Sequence, residues 1–260
     1  ISFLAFHFSL LMRYFIWLSY IGTAYCGWQR QPNGMSVQQR VEEALATILR
    51  QPTPLTGAGR TDAGVHARRM AAHLDTDVPI DDPAGLVGRL NRLLPPDIAV
   101  WSLDAVRPDA HARFSATART YEYTVTGVKD PFAPPAVHRM VLRGVDFEAM
   151  NRAAATLLDY RDFTSFSKLH TDVKTNLCHV TRAEWRHQGD RWTFTITADR
   201  FLRNMVRAIV GTLFEAGRGR LSEEGFRHVI EALDRSQAGD SAAAEGLALV
   251  EVHYPADIYL

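Results

Sequence analysis

The densest run of potentially reactive side chains lies in Gly57-Ala58-Gly59-Arg60-Thr61-Asp62-Ala63-Gly64-Val65-His66-Ala67. Glycines permit positive φ and let a ligand approach the backbone, so this stretch can present Arg60, Asp62 and His66 on a tight turn. Several chemistries are open to a carboxylate placed there. A dinucleotide-binding turn is excluded, because Asp62 takes the third glycine position and would face a pyrophosphate with negative charge. A strand rather than a helix is also expected to follow. A phosphate-cradling P-loop is excluded because its Lys-Ser/Thr pair is missing. A metal site on Asp62 and His66 lacks any further ligand cluster. Two readings remain: an Asx-type turn in which Asp62 caps its own backbone, or an ionised carboxylate acting beside an electron-poor centre.

Other candidate groups have plain structural readings of their own. Tyr121 shares a strand face with Tyr123 and Val125, a pattern that suits core packing. Arg203 and Arg207 are spaced one helical turn apart, opposite an apolar stripe, and so predict a shared basic face. Formal net charge is zero, so any nucleic-acid surface must be local. Lysine occurs only at Lys129, Lys168 and Lys174, leaving 26 of the 29 basic residues as arginine; arginine is the better fork for phosphate and stacks on bases. Cys26 and Cys178 have no metal-ligand spacing and are too few for a disulfide framework, so they read as reduced thiols of a cytoplasmic protein. The apolar start, Ile1 to Leu11, is too short to span a bilayer. It also lacks the basic region and cleavage site of a signal peptide. Residues 1–11 therefore read as an upstream extension without a function, and no membrane partner is expected.

The elements that must position these groups follow from periodicity. From Met12, Tyr14, Ile16, Leu18 and Tyr20 alternate with Phe15 and Trp17 as a buried strand. Ser36 and Gln39 form a capping box ahead of a helix with Val37, Val41, Ala44, Leu45, Ile48 and Leu49 on one face. A strand is expected near Met70 to Thr76. Asp82-Pro83 then opens a helix with Leu86, Leu90, Leu93 and Leu94 inward. Strands near Ile98 to Val106 and Thr120 to Val128 close a first half, 12–130. Pro131, Pro134 and Pro135 mark the boundary. In the second half, 131–260, Asp146 caps a helix with Phe147, Met150, Ala154, Leu157 and Leu158 inward, and strands are expected over Cys178 to His187 and Trp192 to Ala198. Leu202, Met205, Val206, Ile209, Val210, Leu213 and Phe214 give the strongest helical stripe. Ser222 caps another helix, and Leu247 to Tyr254 is a final strand. Two α+β units sharing a sheet is the architecture these elements predict.

The string GRTDAGVHA at residues 59–67 resembles the signature of the TruA family of tRNA pseudouridine synthases. The resemblance runs from Met12 to near the end of the chain. It takes in Gly27-Trp28-Gln29, Ser36-Val37-Gln38 and Asn91 with Leu94-Pro95. It continues through His111-Ala112-Arg113-Phe114-Ser115-Ala116 and Arg119-Thr120-Tyr121-Glu122-Tyr123. In the second half it includes Asp162-Phe163-Thr164-Ser165-Phe166, Phe201-Leu202, Met205-Val206-Arg207 and Gly246-Leu247. The chain departs from the pattern at Ile21, Asp159-Tyr160-Arg161, Asp199-Arg200 and Ala248.

The resemblance implies an isomerase that converts uridine to pseudouridine in the anticodon arm of tRNA, at positions 38, 39 and 40, with no metal or organic cofactor. By that resemblance Asp62 is the nucleophile, and attack on the sugar, addition to the base and assistance to an elimination all stay open. Tyr121 would stack on the target uracil, a contact worth about 1–3 kcal/mol per base, comparable to the cost of extruding a nucleotide. Arg207 would be the partner that orients Asp62, and Leu247 would pack against the base. Arg60, His66, Arg113, Arg119 and Gln29 are the candidate phosphate or base contacts. The implied fold is α+β: two RRM-like (ferredoxin-like) halves sharing one extended, mostly antiparallel sheet, with the active cleft between them. The implied assembly is a homodimer in which one tRNA touches both subunits. Rival readings are a non-catalytic tRNA-binding protein on the same fold and a metal-dependent phosphoesterase built on Asp62 and His66.

Overall fold

The computed structural model describes residues 11–168 and 175–260. The expected extension, Leu11 apart, lies outside these residues. The fold is α+β, with a mixed, mostly antiparallel open sheet of nine strands and five α-helices among the described residues.

Strand β1 (Met12–Tyr20) is buried on both faces, with Phe15, Ile16 and Leu18 fully inaccessible. It pairs antiparallel with β3 (His66–Thr76) on one side and β4 (Ile98–Val106) on the other. Helix α1 (Val37–Leu49) starts where the sequence predicts: the Ser36 hydroxyl accepts the Gln39 N–H at 3.2 Å. The Gln39 side chain turns along the helix, its amide N–H donating to Glu43 at 2.9 Å, and only the Ser36 half of the capping box forms. The two-residue strand β2 (Thr56–Gly57) pairs with β3. Helix α2 (Pro83–Leu93) is capped by Asp82 through the Gly85 N–H at 2.8 Å. Its inward side chains are Leu86 and Leu90, with Leu94 just beyond; Leu93, expected inward, points out to solvent.

Strand β5 (Ala118–Thr126) lies inside the sheet. It pairs antiparallel with β8 (Arg191–Ala198) and β9 (Leu247–His253), both far along the chain. A second two-residue strand, β6 (His138–Arg139), lies parallel to its end. Helix α3 (Phe147–Thr156), capped by Asp146, packs on β7 (Val180–Gln188) and on α4 (Met205–Gly217). The α-helix ends at Thr156 and the chain tightens into a 3-10 turn, so Leu157 is buried while Leu158, expected inward, is exposed. Ser222 caps α5 (Glu223–Glu231) through the Gly225 N–H at 3.0 Å.

The strand order is β4-β1-β3-β9-β5-β8-β7. Its two stretches are joined by a short parallel pairing, His66 to Ala248 and Ala67 to Leu249. That junction begins at the residue after Val65, where the glycine-rich stretch enters β3. Two large apolar clusters build the core: one under β1, β3, β4, α1 and α2, the other under β5, β7, β8 and helices α3 to α5.

Candidate active site

The glycine-rich stretch is a turn braced from the side of β1. The Tyr20 hydroxyl and Thr61 Oγ1 lie 2.8 Å apart in the interior, and the Trp28 N–H donates to the Thr61 carbonyl at 3.2 Å. Gly27, at φ +95°, is what allows this approach, since a Cβ there would run into the Thr61 carbonyl oxygen. The turn is closed by the main chain, Val65 N–H to Asp62 C=O at 3.1 Å. The Asp62 carboxylate is directed elsewhere. Its Oδ1 lies 3.7 Å from Arg203 Nε and its Oδ2 4.0 Å from Arg207 Nη1.

Both arginines face Asp62, but not as two positions on one helix. Asn204 adopts φ +65°, so α4 starts only at Met205 and Arg203 sits in the turn before it. The left-handed residue breaks the helical stripe that the sequence extends back to Leu202. Arg207 is further anchored: its Nε donates to the Ala242 carbonyl at 2.7 Å, and the Ala242 N–H returns to the Arg207 carbonyl at 2.9 Å. Arg203 is the site residue that sequence reasoning left without a role; its signal was the spacing to Arg207.

Tyr121 is half-buried on β5, edge-on to Phe201 with ring centres 5.1 Å apart. Burial pushes its phenol up to about 12, with the Arg119 charge opposing and the Asp62 charge reinforcing the shift. The hydroxyl is therefore protonated at neutral pH. Leu247 is buried at the first position of β9, paired with Tyr123.

His66 sits in the interior with both ring nitrogens engaged. Nδ1 accepts the Gly22 N–H at 3.0 Å, which leaves Nε2 to donate to the Glu245 carbonyl at 3.1 Å. Burial, partly offset by Glu245, lowers its pKa, so the ring is a neutral brace between two loops. Arg119 also turns inward, donating to the carbonyls of Ala58, Arg113, Ala116 and Asp199. Asp199, one of the departures from the family pattern, uses its carboxylate locally, accepting the His179 and Arg200 N–H groups at 2.7 Å. Arg60, Arg113 and Gln29 are exposed, with Arg113 lying over the exposed Phe114 ring at 5.7 Å.

This arrangement can hold a charged carboxylate beside an aromatic ring and two cations, next to exposed polar side chains. A family model described as tRNA pseudouridine synthase matches residues 153–255. Over 249 residues the chain is 61% identical to tRNA pseudouridine synthase A of Parabacteroides distasonis, covering 96% of this chain and 98% of that protein. The chain belongs to the tRNA pseudouridine synthase A family. The counterpart in Bacteroides thetaiotaomicron is 59% identical over 252 residues, 96% of this chain and 93% of that one. The more distant tRNA pseudouridine synthase A of Geobacter sulfurreducens is still 42% identical over 238 residues, 91% and 97% of the two chains.

In this member of the tRNA pseudouridine synthase A family, a surface cavity of about 580 Å³ is bordered by Arg68, Arg182, Arg186 and Arg191. None of the residues around Asp62 lines it. Among the described residues, no group of three or more His, Cys, Asp or Glu is placed to hold a metal ion, and no helix is long and apolar enough to cross a membrane.

Proposed function

We propose that this chain isomerises uridine to pseudouridine in the anticodon stem-loop of tRNA, with Asp62 as the reacting carboxylate. The observation that carries this reading is the Asp62 carboxylate held between Arg203 and Arg207 on a turn closed by its own backbone. In the reaction the N1–C1′ bond breaks, the uracil turns, and C5 bonds to C1′. The C5 proton leaves and N1 gains one, so the change is a net isomerisation. It consumes no oxidant and no group donor, and the reading needs neither metal nor organic cofactor. A fixed negative charge serves attack at C1′, addition to the base, or assistance to elimination equally well.

Tyr121 stacks on the target base and offers a neutral phenol as a hydrogen-bond donor, while Leu247 supplies an apolar wall. Arg207 orients the carboxylate. Arg60, Arg113 and Gln29 meet the RNA, whereas His66 braces the site from within. The protein works in the cytoplasm as a homodimer that shares one tRNA between subunits.

We also infer the two-half architecture. With the two-residue β6 and the additional helix α5 set aside, β1, α1, β2, β3, α2, β4 and then β5, α3, β7, β8, α4, β9 both run βαββαβ. Both also give the spatial order fourth, first, third, second. That order supports two RRM-like halves. It moves the division between them from Pro131 to the segment between β4 and β5, since the proline-rich loop then lies inside the second unit.

The test is release of tritium from tRNA labelled at uridine C5, because only substitution at C5 frees that label. The native chain should release it, and Asp62→Ala should release none while still binding tRNA through its remaining contacts. Native-like release by Asp62→Ala would overturn the assignment.

A further inference from the structure

Arg119 was a candidate RNA contact on sequence grounds, yet all of its terminal N–H groups that make hydrogen bonds point into the protein. Nη1 donates to the Asp199 carbonyl at 2.8 Å and the Ala116 carbonyl at 3.3 Å. Nη2 donates to the carbonyls of Ala58 at 3.0 Å and Arg113 at 2.6 Å. None of the four acceptors is a carboxylate. A cation withdrawn from water is expensive unless its hydrogen bonds are replaced, and four convergent carbonyls replace them. Only a planar guanidinium fork can do this from one position; an ammonium on a flexible stem cannot span the same acceptors.

The acceptors lie on segments that are distant in sequence but meet at the site. Ala58 lies four residues before Asp62, and Asp199 lies four residues before Arg203. Arg113 and Ala116 belong to the loop that carries the exposed Arg113 and Phe114 side chains. One side chain on β5 therefore ties the strand entering the Asp62 turn to the segment that delivers Phe201 and Arg203. That span holds the segment of Ala58 that leads to Asp62 as well as the segment that sets Phe201 against Tyr121, so it concerns more than the Arg203 contact.

We infer that Arg119 is a positioning residue, which sets the geometry between Asp62 and the Phe201–Arg203 segment and leaves RNA binding to other groups. The inference rests on the function proposed above. Its test uses the full chain with Arg119→Gln and Arg119→Lys. Single-turnover tritium release is measured at saturating tRNA, and tRNA affinity is measured across a range of salt concentrations. Both variants should lose roughly a hundredfold in rate, as a misplaced reactive group does. Their affinity and salt dependence should stay native. Arg60→Gln, by contrast, should flatten the slope of log affinity against log salt by about one unit, the signature of a lost phosphate contact. A flattened slope with native saturating rate in the Arg119 variants would overturn the inference, as would native behaviour in every measurement. If Arg119→Gln does not fold, Arg119→Lys decides alone, because a full-rate lysine variant contradicts the need for the fork. Absence of release from the native chain would instead refute the proposed function, and the salt slope would still report whether Arg119 meets RNA.

Discussion

Replacing Arg207 by methionine should slow the reaction more than replacing Arg203, although Arg203 is the nearer of the two to Asp62. Charges about 4 Å apart attract by about 4 kcal/mol at an effective dielectric near 20 and by about 1 kcal/mol in bulk water. Arg207 belongs towards the first limit: its side chain is 22% exposed and tied to the Ala242 carbonyl. Arg203 is 58% exposed and belongs towards the second, where ion pairs contribute up to about 1 kcal/mol. Taking about 2–3 kcal/mol for Arg207, Arg207→Met should lose roughly 30- to 150-fold in single-turnover rate, and Arg203→Met no more than about fivefold. Arg207→Lys keeps the charge but has no counterpart of the Nε bond to Ala242, so it should fall between native and Arg207→Met. The assay is single-turnover tritium release at saturating tRNA, which separates chemistry from binding. A larger loss in Arg203→Met than in Arg207→Met would refute the ranking, and native rates in both would show that neither cation acts on Asp62.

Two further outcomes follow from the frame around the site. His73 is buried, accepts the Ala112 N–H at 3.1 Å, and has its pKa lowered from 6.5 to about 4, first by burial and then by Arg13 and His111, with Asp75 opposing. Between those values the unfolded chain binds the extra proton, so this contribution to stability is intact above pH 6.5 and is lost as pH falls towards 4, by about 3 kcal/mol in all. His73→Asn, whose amide oxygen can still accept from Ala112, should flatten the dependence of unfolding free energy on pH over that window; an unchanged slope would show that His73 does not carry it. Gly27→Ala should destabilise the fold and cut turnover together, because the residue is left-handed and its new Cβ meets the Thr61 carbonyl. A variant with native melting temperature and native rate would show that the Thr61 approach is not needed.

What the sequence made legible was local. Ser36, Asp82, Asp146 and Ser222 all cap the helices they predict, because a cap and the helix it starts are neighbours in the chain. The glycine turn was legible for the same reason, and the role proposed for its carboxylate rests on the resemblance of the string around Asp62. Long-range pairing was not legible. Nothing in the alternation of Ala118–Thr126 says that it joins β8 and β9 rather than β4, since a strand buried between neighbours reads alike whichever neighbours it has. The same limit explains Arg119 and His66. A side chain's type tells what it can bond, but not whether water, RNA or a carbonyl from a distant segment will be there. Asp62 lies four residues before the junction where β3 meets β9, so its placement depends on contacts that no local pattern encodes. The turn that carries Asp62 could be read from a short string, whereas the approach of Arg203 to Asp62, the edge-on contact of Phe201 with Tyr121 and the Arg119 tie required the folded chain.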